Sequence, residues 1–317
     1  MKKVLITGSN GFVGKALASA LLKKDYEVVA SVRQKTIDSE TRLHEIITGD
    51  LSSKIDWTVA TSNINVIIHS AARVHILDEK EKDPLTEFRK INVDATLNLA
   101  TQAFRNGVKR FIYLSSVKVN GEQTEPDHCF SADDTPNPDG PYALSKYEAE
   151  KGLREIADEM GKEVVIIRPP LVYGPGVKAN FEIMMHWLSR GIPLPLGAIK
   201  NQRSLVALDN LVDLILVCIE HPAAANQIFM VSDNDDISTS QLLDILGDAL
   251  DAKKRLLPVP HNVLKMLAIL VGRKDLIIKL CSSLQVDISK TRNLLDWNPP
   301  YNAKESLFKT AKEYNLH

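Results

Sequence analysis

In the stretch Asp139-Gly-Pro-Tyr142-Ala-Leu-Ser-Lys146 a phenol and an ammonium stand four residues apart. Gly140 and Pro141 can break the preceding segment and set the first helical φ, and Tyr147-Glu-Ala-Glu-Lys-Gly-Leu-Arg154 continues as a good helix former. That spacing puts Tyr142 and Lys146 on one helix face, a turn apart. An ordinary tyrosine titrates near about pH 10 and is a poor acid or base at neutrality. A close cation can lower that value by roughly 1 to 3 units, so Lys146 is expected to make Tyr142 a proton donor or acceptor for an alcohol or carbonyl oxygen. Chance produces the same spacing in many helices, so the pair gains meaning only from its neighbours.

The neighbours are informative. Lys109-Arg-Phe-Ile-Tyr-Leu-Ser115-Ser116 reads as a strand whose carboxyl end delivers two hydroxyls to the crevice where open α/β sheets bind ligands. Ser116 is the candidate to hold the reacting oxygen, with Ser115 a helper or a structural hydroxyl. At the other end of the chain, Val4-Leu5-Ile6-Thr7 is a short buried strand followed at once by Gly8-Ser-Asn10-Gly11-Phe12-Val13-Gly14 and a helix over 15–24. Strand, glycine turn and helix in this order form a dinucleotide site: backbone N–H groups at the helix start face a pyrophosphate, and side chains are missing where backbone must approach it.

The second strand ends Ser31-Val32-Arg33, with no Asp or Glu to bind the ribose hydroxyls of NAD. Arg33 could instead hold the extra phosphate of NADP, so NADP(H) is the expected cofactor and NAD(H) the alternative. A third strand, Ile46-Ile-Thr-Gly-Asp50-Leu51, brings Asp50 towards the adenine. The fourth, Asn65-Val-Ile-Ile-His69-Ser-Ala71-Ala72, has small residues that let backbone pass close to a ligand, and His69 reads as a packing or hydrogen-bonding residue. A long amphipathic helix is expected from Pro84 to about Asn106, with Asn92 a buried amide in need of partners. With Lys162-Glu-Val-Val-Ile-Ile-Arg168 the count reaches six strands alternating with helices, which calls for a doubly wound parallel sheet.

After Pro169-Pro170 the elements become short and broken by Gly and Pro, with helices expected at 180–190, 209–220, 238–251, 260–271 and 303–314. The expected division is a nucleotide-binding domain at 1–168 and a smaller mixed α/β substrate-binding cap at 169–317, some of whose segments return to the main sheet. The 317 residues are 44% hydrophobic and 25% charged with a net charge of -1, as in a soluble globular protein without a nucleic-acid or membrane-surface patch. Cys129, Cys218 and Cys281 are scattered and lack ligand-spaced histidines, which argues against a disulfide framework or a metal site. Neither a leader nor a membrane span is apparent, and a cytoplasmic protein is expected.

Taken together, Thr7-Gly8-x-x-Gly11-x-x-Gly14, His69-x-Ala71-Ala72, Asn92, Ser115-Ser116, Tyr142-x-x-x-Lys146, Arg168-Pro169 and Val172-Tyr-Gly-Pro175-Gly176 resemble, in order and over the whole chain, the extended short-chain dehydrogenase/reductases that act on nucleotide sugars, such as UDP-galactose 4-epimerase. The resemblance implies that Ser116, Tyr142 and Lys146 are the catalytic triad. It also implies that Gly8, Asn10, Gly11, Phe12, Val13, Gly14, Asp50, Leu51, Ala71, Ala72 and Asn92 belong to the cofactor site or its scaffold. Asn180 and Arg203 look like the residues that contact the substrate diphosphate, and a homodimer through the helices of Asn92 and Tyr142 is expected by analogy.

One departure narrows the chemistry. Related 4,6-dehydratases carry an Asp-Glu pair directly after the catalytic hydroxyl, whereas Val117-Lys118 stands here, leaving 4-epimerases and 4-ketoreductases. Local phrases such as Pro-Leu-Val-Tyr-Gly-Pro-Gly-Val-Lys-Ala-Asn180 resemble bacterial reductases that form UDP-N-acetylquinovosamine for O-antigen and related polysaccharides. With the Arg33 strand end, this makes an NADPH-dependent reduction of a UDP-4-keto-6-deoxy-hexosamine the expected reaction. A UDP-hexose or UDP-N-acetylhexosamine 4-epimerase with tightly bound NAD is the alternative.

Overall fold

A computed structural model describes residues 2–35, 43–74, 83–260, 263–264, 266 and 280–315. The chain starts with strand β1 (Lys3–Thr7), helix α1 (Phe12–Lys23) and strand β2 (Glu27–Val32). Strands β3 (Leu43–Ile47) and β4 (Val66–His69) follow, then helix α2 (Pro84–Arg89) and helix α3 (Ala95–Arg105). Strand β5 (Arg110–Leu114), helix α4 (Gly140–Met160) and strand β6 (Glu163–Arg168) complete the expected six-strand pattern.

The sheet has a seventh member that periodicity did not reveal. Ile228–Met230 (the ninth strand, β9) pairs parallel with β6, giving the all-parallel order β3-β2-β1-β4-β5-β6-β9. Three residues are too few to show a period, and only the free edge of β6 makes them a strand. Two further strands, β7 (Leu171–Tyr173) and β8 (Leu205–Ala207), form a separate parallel pair.

Alternation along β1 explains the layers. Val4 and Ile6 pack with Leu17 and Leu21 of α1 and with Leu211 and Ile215 of helix α6 (Leu208–Glu220), while Leu5 faces Leu99, Phe104 and Leu153 of α3 and α4. Each such buried Leu or Ile contributes roughly 1.5–3 kcal/mol. Helix α6 thus packs on one face of the main sheet, and β9 pairs with its β6 edge. A second core, with Phe181, Met185, Leu188, Leu243, Leu246 and Leu307, joins helices α5 (Asn180–Ser189), α7 (Thr239–Ala249) and α9 (Ala303–Tyr314). Helix α8 (Ser289–Leu295) packs near β9. The helix expected over 260–271 lies largely outside the described residues.

The long helix expected from Pro84 to Asn106 is interrupted by a π-helical turn at Lys90–Asp94. Such wide turns concentrate at functional sites, and this one contains Asn92. Asp83 starts α2 by accepting from the Thr86 backbone at 3.2 Å and the Thr86 hydroxyl at 2.6 Å, and Pro84 needs no donor at that position.

Candidate active site

The glycine turn is built from contact, not from flexibility alone. Gly11 N donates to Gly8 O at 2.8 Å, closing the turn under the first turn of α1. A Cβ on Gly14 would lie 2.1 Å from Gly8 O, and one on Gly8, whose φ is +72°, would lie 2.8 Å from Ala71 N. The ends of β1 and β4 are therefore pressed together with no room for side chains, which is the cradle a pyrophosphate requires. Phe12 and Val13 anchor the helix start on the core, and Leu51 packs on the opposite core with Val29. Ala72 is half-buried beside Ala71.

Asn10, Arg33, Gln34, Lys35, Gly49 and Asp50 line a cleft of about 480 Å³ at the carboxyl ends of the first strands. Arg33 stands 3.8 Å from Asp50, both side chains being largely exposed. The structure thus brings together two residues to which the sequence assigned separate duties. The third strand stops at Ile47, so Asp50 sits in the following turn and not within a strand as expected.

Asn92 finds the partners its burial demands. It accepts from Arg73 N at 2.8 Å and donates to Arg73 O at 3.1 Å and to Ser145 Oγ at 3.0 Å, tying the chain after β4 to the second turn of α4. His69 bridges Thr7 Oγ1 at 2.6 Å and Thr96 Oγ1 at 2.9 Å. Burial pushes it down to about 3, so it is a neutral structural residue.

Tyr142 and Ser116 are brought together, the Ser116 hydroxyl acting to lower the pKa of the phenol, and Phe88 packs edge-on against the Tyr142 ring at 6.0 Å. Lys146 lies buried beneath, its Nζ donating to Leu114 O at 2.6 Å and resting 4.2 Å from the centre of the Tyr113 ring. One expectation is corrected here. Burial raises Tyr142 to about 12, only partly offset by the Ser116 bond, and pushes Lys146 down to about 7. The ammonium is turned to the β5 carbonyl and the Tyr113 face, and desolvation is the largest cause of both shifts.

Arg203 is half-buried and donates to Ser282 O at 3.2 Å, while burial lowers its pKa. Asn180 is exposed in the first turn of α5. Neither has a described contact with Tyr142 or Ser116. Among the described residues, no group of three or more His, Cys, Asp or Glu could hold a metal ion, and no helix is long and apolar enough to cross a membrane.

Sequence reasoning missed the layer under the triad. Glu150, fully buried, accepts from Arg168 Nε at 3.0 Å and Nη2 at 2.6 Å, and also from the Ser115 hydroxyl. Arg168 Nη1 donates to Asn120 Oδ1 at 3.0 Å. The signal was available: Tyr142, Lys146 and Glu150 follow one another at single-turn spacing.

Residues 4–232 match the family described as NAD dependent epimerase/dehydratase. The chain is 48% identical over 315 residues to a Vibrio cholerae protein named UDP-glucose 4-epimerase, covering 99% of this chain and 95% of that one. Among solved structures it resembles, at 20% identity and a TM-score of 0.79, the Thermotoga maritima UDP-glucose 4-epimerase with UDP-glucose, covering 99% of each chain. It resembles the Bacillus cereus UDP-glucuronic acid 4-epimerase in complex with NAD at 20% identity and a TM-score of 0.80, again over 99% of each.

Proposed function

Because the chain belongs to the NAD dependent epimerase/dehydratase family, we propose that it is a 4-epimerase of UDP-hexoses or UDP-N-acetylhexosamines that works with a retained NAD. The observation that carries this reading is the Tyr142–Ser116 contact at the carboxyl end of the sheet, above buried Lys146, with Val117 and Lys118 where a dehydratase needs carboxylates. The Vibrio cholerae relative, alike along nearly the whole chain, supports epimerisation over the reduction expected from sequence. The NAD in the Bacillus cereus neighbour supports that cofactor.

A bound NAD would supply hydride acceptance from the sugar C4 and hydride return to the opposite face of the ketone, and the positive charge of its oxidised ring would favour the Tyr142 phenolate. Tyr142 takes the C4 hydroxyl proton as the alcohol becomes a ketone and gives it back when the ketone is reduced. Ser116 donates to the same oxygen; loss of one such placed donor typically costs about 10² to 10³ in rate. Lys146 orients the cofactor ribose, and Asn92 keeps the chain after β4 in place beside it. Gly8, Gly11 and Gly14 admit the pyrophosphate, with Asn10 and Asp50 at the adenosine end. Arg203 grips the substrate diphosphate with its guanidinium fork, aided by Asn180.

One observation favours a second reading. Strand β2 leads into Arg33 without a carboxylate, and Arg33 and Lys35 share the 480 Å³ cleft with Asn10. Two cations there suit the extra phosphate of NADP(H), and an exchangeable NADPH suits a 4-ketoreductase of surface-polysaccharide synthesis. The two readings separate in one experiment. Purified protein is given UDP-galactose or UDP-N-acetylglucosamine without added cofactor, and separately UDP-4-keto-6-deoxy-N-acetylglucosamine with NADPH or NADH. Interconversion of the hexoses without added cofactor is expected; its absence, with NADPH oxidised by the keto sugar, replaces the epimerase with the reductase. The proposal places this enzyme in the cytoplasm as a homodimer, by family analogy, and light scattering on the purified protein checks the dimer.

A further inference from the structure

Helix α4 holds the end of β5 at two consecutive residues with two buried ionisable groups one turn apart. Lys146 Nζ donates to Leu114 O at 2.6 Å, and Glu150 accepts from the Ser115 hydroxyl. The next residue along is Ser116, which meets Tyr142. Lys146, Glu150, Ser115 and Arg168 are all buried, with exposures of 2%, 0%, 4% and 1%, so none of these charges is held there by solvent. Arg168 from β6 grips both oxygens of Glu150 and is itself anchored on Asn120.

We propose that Glu150 is a positioning residue of the active site: backed by Arg168, it locks Ser115 so that Ser116 faces Tyr142, and it is the counter-ion of buried Lys146. The inference rests on the Tyr142, Ser116 and Lys146 reading above and extends it to a layer the substrate never touches. A carboxylate with one guanidinium partner alone would be only a buried ion pair, for which well-packed apolar residues often substitute without loss. Here the carboxylate has a third duty, because the Ser115 bond leaves it directly behind the strand end that Lys146 also holds.

The groups facing Lys146 are few. On its own helix there are Tyr142 and Glu150, on β5 the Tyr113 ring, on β4 His69, and on β6 Arg168 behind Glu150. His69 is neutral and Tyr113 protonated at neutral pH, since burial drives them down and up respectively. Glu150 is therefore the one anion among these groups that favours the ammonium, working against the burial that brings Lys146 down to about 7.

The test is a double substitution, Glu150→Gln with Arg168→Met, which removes both buried charges together and strands neither. In the full-length protein, nitrogen NMR of labelled lysine side chains follows Lys146 directly and needs no substrate. Its midpoint is expected to fall to about 6 or below, which cuts the charged fraction at pH 7 about five-fold. UDP-galactose epimerisation is expected to fall at least about five-fold at pH 7, the deficit shrinking as the pH is lowered. An unmoved Lys146 titration and an unshifted pH profile, as a merely architectural ion pair predicts, would overturn the counter-ion role. Ser115→Ala keeps both charges and tests the lock: kcat should drop about ten-fold with KM for UDP-galactose and the Lys146 titration unchanged. A wild-type kcat in Ser115→Ala would overturn it, whether or not the double variant folds. Tyr142→Phe separates the two levels. Retained turnover there refutes the site itself, whereas an inactive Tyr142→Phe beside a wild-type-like double variant and Ser115→Ala refutes only Glu150.

Discussion

Replacing Tyr142 by Phe removes one oxygen from the site and almost nothing from the fold. The ring keeps its edge-on contact with Phe88 at 6.0 Å, and at most one hydrogen bond, to Ser116, is lost. A single such bond is worth about 0.5–1.5 kcal/mol net, so Tm should move by no more than about 3 °C in a chain of this size. Activity should behave differently. The proposed proton transfer at C4 runs through this phenol, and loss of a positioned acid or base costs typically about 10² to 10⁴ in rate. The assay is UDP-galactose epimerisation, with bound nicotinamide measured by fluorescence on the same sample and thermal melting beside it. Three numbers are expected: kcat down at least about a hundred-fold, cofactor content unchanged, and Tm nearly constant. A variant that loses cofactor and turnover in parallel, or keeps turnover, would refute the assigned role, because the first outcome makes Tyr142 a cofactor-site residue and the second a bystander.

Four other outcomes follow from particular contacts. Gly14→Ala must displace backbone, since its Cβ would lie 2.1 Å from Gly8 O; a cost of about 1–3 kcal/mol or more in urea unfolding is expected, together with lost cofactor binding by calorimetry. Gly161→Ala is the control for cofactor binding, which it should leave intact: its Cβ meets nothing within 4 Å, and its φ of +60° should cost only about 1 kcal/mol of backbone strain in unfolding. Asn92→Leu removes the partner of the Arg73 N–H and C=O, while Ser145 keeps its bond to Tyr142 O; about 1–3 kcal/mol of stability should go, read by urea unfolding. Arg33→Ser should weaken NADP(H) binding several-fold and leave NAD(H) within two-fold, read by fluorescence titration; equal effects would show that Arg33 does not see the extra phosphate.

The pH dependence of stability has a definite sign. Lys146 binds its proton at about 7 when folded against 10.5 for the ordinary lysine, so between these values the unfolded chain holds more protons and stability from this group rises with pH. Tyr142, at about 12 against 10.0, works the other way above pH 10. Lys146→Met should flatten the rise between about pH 7 and pH 9, a change on the order of 2 kcal/mol in urea unfolding. An identical slope in wild type and variant would mean that Lys146 is not desolvated as its contacts indicate.

Much of this protein was legible in the residues alone. The glycine turn after a four-residue apolar strand, the alternation of strand and helix, and the Tyr142, Lys146 and Ser116 set each depend on local spacing, and local spacing survives folding. Helices whose apolar periodicity is strong, at Leu208–Glu220 and Ala303–Tyr314, fall almost where the pattern puts them. The π-turn at Lys90–Asp94 was not legible, because it depends on where Asn92 must reach to bond Arg73 and Ser145. The seventh strand was missed for the same kind of reason, since its three residues become a strand only beside β6.

Residue type and order by themselves determined the fold class and marked the glycine turn and Tyr142 as the candidate cofactor turn and proton-moving group. What tertiary structure decided was the electrical state of that group. Spacing alone suggested that Lys146 would make Tyr142 acidic, but the ammonium is directed to Leu114 O and the Tyr113 ring, and both side chains are desolvated. Charge stabilisation depends on distance, direction and burial across the whole packed site, and the pairing of Glu150 from α4 with Arg168 from β6 arises only when helix and strand are brought together.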